Sequence, residues 1–531
     1  MKKLRIGAIM LCGMVGASAL ALSACRTRIP DTEDSLEIYC WDAGYGVQWC
    51  LDLIDLFKEQ DWVKEKYPNL EVYPVTNDTE TFASSRLSAG SRVNTCDLLF
   101  GSQLYGFAGP GGALLDLTDA VYNEKVPGEE ILYKDKMNAS YRASNQYIDA
   151  TGRATEQYYM LSWAGGMDSI IYNETIFDEL GYEVPNTTDE LIALCAAYKA
   201  NSAHNGYSFI QSKGDDYWQY LFPIWWAQYE GIDEYLNFWN GISGGRYSPS
   251  IFDQKGREYS LGVYESLLKY EKGYVNPVGF SQTFMVAQTS FLKGEALMHV
   301  NGDWFSSEMN TIMGQIQNVD TFKTMRMPII SKLGEKLGIT DSELSAIVSY
   351  VDKVAAGEAE TQPSFTSTRG LSAEQVIGAV REARTIVHSI GPAHTAVIPS
   401  YATAKAPAVD FLRFMGTDIA LNAYTKATFG ASLPMNYTVD AALYNQLSSA
   451  QQSRIDYFQS GLNIYVLPAT QSFPLARFGG LDAFVTQNYY SVFSAQGNSK
   501  TPADYMSETK TAWTQNNNAK FNEALNAAGL G

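Results

Sequence analysis

The chain has 531 residues, a formal net charge of −19 and four histidines. So acidic a chain is a poor partner for nucleic acid, and its 46% hydrophobic and 13% aromatic content is that of a folded protein rather than a disordered one. Its length exceeds what one hydrophobic core organises, so at least two domains are expected.

Lys2, Lys3 and Arg5 precede an apolar run from Ile6 to Leu22, which ends in Leu22-Ser23-Ala24-Cys25. That order is the order of an export signal over residues 1–24. Leu22 to Cys25 resembles a bacterial lipobox, in which Cys25 takes the lipid and becomes the first residue, so residues 25–35 read as a lipidated tether. No second apolar run of spanning length follows, and the rest of the chain is expected outside the cytoplasm, held to the cell membrane by its lipid. Of six cysteines, Cys40, Cys50, Cys96 and Cys195 lie beyond Cys25. No CxxC or Cys/His spacing marks a metal site, and no cofactor is expected. Cys40 and Cys96, on neighbouring predicted strands, either pair in an oxidising compartment or remain buried thiols.

In chain order, residues 36–41 alternate like a strand, and Trp49, Leu53, Ile54 and Phe57 give a helix over 47–58. A strand follows at 72–75, a polar helix at 79–89 and a strand at 97–100. Strands alternating with helices predict an α/β sheet, mostly parallel, with ligands beyond the carboxyl ends of its strands. Those ends carry Trp41-Asp42 and Gly101 to Tyr105. Further strands are expected near 158–161, 169–173 and 207–211, with Trp163-Ala164-Gly165-Gly166 between the first two. Thr187 with Glu190 makes a capping box opening a helix through Tyr198. An aromatic stretch runs from Tyr217 to Trp226, where helical spacing makes core packing the default for most members. Residues 328–391 are helical, with boxes at Thr340/Glu343 and Ser372/Gln375 and a loose linker over 357–370. Helices are again expected over 408–427 and from 489 onward.

Four stretches, in order, resemble the family 1 extracellular solute-binding proteins of ABC importers, the group that includes the maltose-binding protein. They are the lipobox with Trp41-Asp42; Ile170 to Phe177 leading to Gly181 to Thr187; Phe291 to Met298 continuing to Asn301-Gly302-Asp303-Trp304; and Ala408 to Met415 ending in Gly430 to Pro434. The resemblance implies a two-lobe, type II periplasmic-binding-protein-like α/β fold, each lobe a mostly parallel sheet flanked by helices. It implies crossings near residues 157, 299 and 395. The N-terminal lobe is then 36–157 with 299–394, carrying a helical insert at 329–390, and the C-terminal lobe is 158–298 with 395–531. It further implies a monomer that takes a carbohydrate in the cleft and passes it to ABC permease subunits.

A sugar presents apolar CH faces and rings of hydroxyls, so its site needs aromatic plates beside polar side chains. Trp304 matches the family position whose aromatic stacks on the ligand, next to Asp303. Trp41 and Asp42, Gln103 and Tyr105 lie at strand ends, Trp163 lies at a crossing, and Trp218 stands for the aromatic stretch. Phe478 to Asp482 resembles the segment that returns to the cleft. A surface glycosidase or a polysaccharide-binding lipoprotein is the rival reading. A glycosidase needs a carboxylate pair, which nothing in the sequence singles out, and there is no HExxH, GxSxG or nucleotide-binding loop.

Overall fold

The structure is a computed structural model describing residues 29–149, 153–202, 204–211, 217–277, 279, 282–317, 319–482 and 493–531; the export signal and Cys25 lie outside them. Nine strands carry the architecture: β1 (Ser35–Trp41), β2 (Glu71–Asn77), β3 (Leu98–Ser102), β4 (Leu161–Ser162), β5 (Ser169–Asn173), β6 (Tyr207–Ile210), β7 (Ala296–Asn301), β8 (Phe322–Thr324) and β9 (His394–Val397).

The first sheet has the order β2-β1-β3-β9-β4. β1 runs parallel to β2 with Trp41 opposite Asn77, and parallel to β3 with Ile38 opposite Leu98. β9 is antiparallel to β3 and to β4. The second sheet has the order β8-β5-β7-β6, with β7 antiparallel to β5 and parallel to β6. Both sheets are therefore mixed rather than mostly parallel. The strands that break the pattern, β5 and β9, enter by crossing from the other lobe, so no right-handed βαβ connection fixes their direction.

Sheet membership changes between Ser162 and Ser169, and again between Thr324 and His394. Because β7 and β8 both belong to the second sheet, this return falls later than the crossing expected near residue 299. Helix α1 (Gln48–Glu59) packs on the helix Asp418–Ala427, whereas the helix Ser449–Phe458 packs on β8. A third crossing thus lies between them, beyond the one expected near 395, and β9 itself is a strand of the first sheet.

The local rules explain these elements. Leu36, Ile38 and Cys40 share one face of β1 with Trp49, Leu53 and Phe57 of α1, four residues apart on one helical stripe. Tyr39 and Cys96 lie on the opposite face, in a separate cluster with Ala83 and Leu87. Cys40 and Cys96 therefore cannot meet. Both are free, and the Cys96 thiol donates to the Glu37 carboxylate at 3.3 Å. The single helix expected over 408–427 is two, Lys405–Phe414 and Asp418–Ala427, because Thr417 caps the second by accepting the Ala420 N–H.

The helical segment holds Lys332–Leu337, Asp341–Ala355 and Ala373–Thr385, with both predicted capping boxes formed. It packs on Leu221–Glu230, a helix that follows β6, and so belongs with the second sheet rather than the first. Its two long helices are tied by Arg384, which is 4% exposed and donates through Nε and Nη2 to the Asp352 carboxylate at 2.9 and 2.6 Å. The terminal helix Pro502–Ala527 docks on Lys255–Leu268. Among the described residues no helix is long and apolar enough to cross a membrane.

Candidate functional site

A cavity of about 460 Å³ lies where the carboxyl ends of β1 and β3 face the second lobe. The first lobe contributes Trp41, which closes β1, and Ser102 and Gln103, which close β3. Gln219 and Tyr220 come from the turn ahead of Leu221–Glu230. His388, Ser389 and His394 come from the chain entering β9, and Thr470, Gln471 and Asp482 come from the late segment. This is the place predicted for ligands in sheets of this kind.

Two flat groups stand at the wall. Tyr220 stacks on His388, ring centres 5.1 Å apart at 18°. The His388 Nδ1 lies 2.6 Å from Oδ2 of Asp168, a carboxylate 1% exposed, so the imidazole is held in one orientation. Burial pushes the Asp168 carboxyl up, and the His388 hydrogen bond pulls it back. Trp41 is half-buried and stands edge-on to His394, 5.5 Å between centres. Burial pushes His394 down to about 4, so its ring is neutral at physiological pH. On the polar side, Gln471 donates to Asp482 at 2.6 Å.

Gln103 has a left-handed backbone, φ 53° and ψ 42°, which disfavours a residue with a Cβ by roughly 1–2 kcal/mol. Its N–H donates to the carbonyl of Ala393 at 2.8 Å, which holds the strained turn against the crossing segment. The side chain is exposed in the cavity.

Of the residues singled out in the sequence, Trp41 and Gln103 line this cavity, and so does Asp482. Trp163 does not. It is fully buried in a stack with Trp49 at 5.2 Å and His394 at 5.0 Å, and its indole N–H donates to the carbonyl of Gly101 at 2.9 Å. The small residues after it admit protein rather than ligand. A Cβ on Gly165 would stand 2.7 Å from the Ser432 carbonyl, and one on Gly166 would stand 1.8 Å from Oδ2 of Asp303. Trp218 is fully buried against Phe209 and Tyr264. Tyr105 is 5% exposed and donates its hydroxyl to the carbonyl of Pro392. Asp42 is exposed but outside the cavity wall.

Trp304 is 5% exposed. Its ring folds back over Gly302, where a Cβ would stand 2.0 Å from it, and is walled by Tyr217, Tyr220 and Tyr45 at 5.8, 6.1 and 6.4 Å. It thus backs the Tyr220 plate rather than facing the cavity. Asp303 turns the other way. Its Oδ1 accepts the Tyr45 hydroxyl at 2.6 Å, a bond between the lobes, and its backbone carbonyl accepts Nη1–H of Arg454 at 2.5 Å. Burial pushes the Asp303 carboxyl up to about 7 against the pull of Arg454 and Tyr45.

Sequence reasoning missed Tyr45, Asp168, Tyr220 and His388. Tyr45 had a signal, since it sits between two glycines just past the end of β1. Asp168 and His388 had none, being 220 residues apart. Among the described residues no group of three His, Cys, Asp or Glu side chains is placed to hold a metal.

Solved structures share the architecture at low identity. One from work on xylan utilization by the thermophilic bacterium Caldanaerobius polysaccharolyticus is 15% identical with a TM-score of 0.58, over 90% of this chain and 99% of its own. A chitin oligosaccharide binding protein gives 15% and 0.55, over 93% and 99%. The solute-binding protein RafE in complex with raffinose gives 15% and 0.51, over 93% and 98%. These likenesses establish the two-lobe fold. No curated relative matches the chain. The sequence profile of the bacterial extracellular solute-binding proteins matches residues 53–324, more than half of the chain, and the chain belongs to that family.

Proposed function

We propose that this protein is the extracytoplasmic, lipid-anchored binding component of an ABC importer, and that it holds a neutral carbohydrate between its lobes for delivery to the permease. The observation that carries the ligand class is the wall of the 460 Å³ cavity. It sets the flat faces of Trp41 and Tyr220 beside hydroxyl, amide and carboxylate groups from Ser102, Gln103, Gln219, Ser389, Gln471 and Asp482. No described residue of that wall is Lys or Arg. Aromatic faces suit the CH faces of a sugar ring, and the mixed donors and acceptors suit its hydroxyls. An anionic ligand wants a guanidinium fork, which the wall lacks. Fold relatives that bind raffinose and chitin oligosaccharide agree with this reading.

In this proposal the lobes follow the sheets, and the three crossing segments absorb the change of backbone angles when they close on ligand. The ligand-bound arrangement is the one a permease would recognise. No chemical reaction forms part of the function. The anchor rests on the sequence at Leu22 to Cys25, and the wild type should incorporate labelled fatty acid while Cys25→Ala should not; equal incorporation in both, or none in the wild type, would count against it. The ligand class is tested by a thermal-shift screen of the full chain against neutral oligosaccharides, uronic acids, amino acids and short peptides. A ligand at about 100 times its Kd adds roughly 2.7 kcal/mol. Stabilisation by neutral sugars alone supports the proposal, and stabilisation by uronic acids or peptides alone refutes it.

A further inference from the structure

The chain entering β9 brings one imidazole to the cleft wall with its direction fixed before any ligand arrives. His388 lines that wall, and its backbone carbonyl accepts the Asp168 N–H at 2.9 Å while its Nδ1 lies 2.6 Å from Oδ2 of the same residue. Backbone and side chain are thus both tied to one buried residue of the first crossing. Tyr220 covers one face of the ring, centres 5.1 Å apart at 18°. A flipped ring would set Cδ2 against the carboxylate and lose that bond, so the orientation is held. What stays open is the edge that carries Nε2. The side chain is 23% exposed, and Nε2 is accessible and bonded to no described residue.

A polar atom that is already aimed costs no ordering when a ligand arrives, so it discriminates more sharply than one on a free side chain. A hydroxyl both donates and accepts, so it pairs with Nε2 whichever ring nitrogen carries the proton, whereas a CH2 group in the same place pairs with neither form. We propose that His388 reads one hydroxyl of the cleft sugar through Nε2, with Asp168 as the positioning residue that aims the ring. The proposal rests on the carbohydrate reading given above and narrows it: the ligand carries a free hydroxyl at the ring position beside His388, and a sugar deoxygenated there is discriminated against. Loss of one such hydrogen bond corresponds to roughly a three- to tenfold loss of affinity.

Isothermal titration of the full chain with maltotriose, xylotriose, chitotriose and raffinose selects the tightest sugar. Singly deoxygenated forms of that sugar then probe each hydroxyl in the wild type and in His388→Asn, whose amide can still donate to Asp168. At one ring position, deoxygenation should cost the wild type roughly threefold or more and the variant nothing, while the penalties at the other positions stay the same in both. A His388 that only supports the fold or backs Tyr220 would weaken the parent sugar and every deoxy form by a common factor, and that result overturns the proposal. Asp168→Asn should shrink the same single penalty; a penalty left at its wild-type size overturns the positioning role. Should His388→Asn not fold, His388→Phe keeps a flat ring beside Tyr220 without either nitrogen and is read identically. No saturable heat from any of the four sugars in the wild type overturns the carbohydrate reading and this proposal with it, whereas sugar binding with no hydroxyl coupled to His388 overturns this proposal alone.

Discussion

Tyr45→Phe removes one oxygen atom and, with it, the hydrogen bond that ties the first lobe to Asp303 across 258 residues of chain. The shape of the side chain is otherwise kept, so packing against Trp163 and Trp304 should persist. What is lost is the donor to a carboxylate that is 2% exposed and whose other oxygen already lacks a partner. A hydrogen bond to a charged group contributes about 1.5–3 kcal/mol, and a neutral one about 0.5–1.5. Burial holds Asp303 near 7, so the larger figure applies at pH 8, where it is ionised, and the smaller at pH 5, where it carries a proton. With an unfolding entropy of roughly 2.1 cal/mol/K per residue, a chain of this length converts about 1 kcal/mol into about 1 °C. Differential scanning calorimetry should therefore show a drop of about 1.5–3 °C at pH 8 and about 0.5–1.5 °C at pH 5. An equal drop at both pH values, or none at pH 8, would refute the reasoning.

Further outcomes follow from the same geometry. An acid whose folded pKa is raised favours folding below its unfolded value and loses that advantage as pH rises, here between about 4 and about 7 for Asp303. His299 and His394, both pushed down to about 4 by burial, act oppositely and lose stability as pH falls from about 6.5 to about 4. The two trends overlap, so Asp303→Asn isolates the first: its midpoint relative to wild type should climb by about 2–3 °C from pH 5 to pH 8, and a flat difference contradicts the assignment. Gly302→Ala places a methyl inside the Trp304 ring position and should cost about 1–3 kcal/mol with a red shift of tryptophan emission. Trp163→Ala should cost about 3–5 kcal/mol, because the ring is a core plate between Trp49 and His394, and loss of sugar affinity without loss of stability would disprove that. Asp352→Asn leaves the Arg384 guanidinium buried with a weakened partner and should destabilise by about 3–5 kcal/mol, measurable by urea denaturation.

The fold was largely legible because it rests on local signals. Alternation set β1, four-residue spacing set α1, and both capping boxes of the helical segment formed as the sequence implied. What escaped is long-range. The lobe crossings depend on which sheet accepts β7 and β8, and neither strand carries a mark of its partner. The site shows the same division. Trp41 and Gln103 follow from the rule that ligands sit at strand ends. Trp163 and Trp218 are as aromatic as any ligand plate, but stacking partners from distant segments bury them. The Asp168–His388 pair exists only once the first and second crossings lie side by side.

The central claim is that a neutral sugar binds against the Tyr220–His388 plate in the cleft. Isothermal titration of one neutral oligosaccharide hit against wild type, Tyr220→Ala and Gln103→Ala measures it most directly. Losing a buried aromatic anchor should cost at least tenfold in affinity, with a smaller loss for Gln103, and no loss of fold in either variant. Unchanged affinity in both variants, with saturable sugar binding in the wild type, would contradict the account.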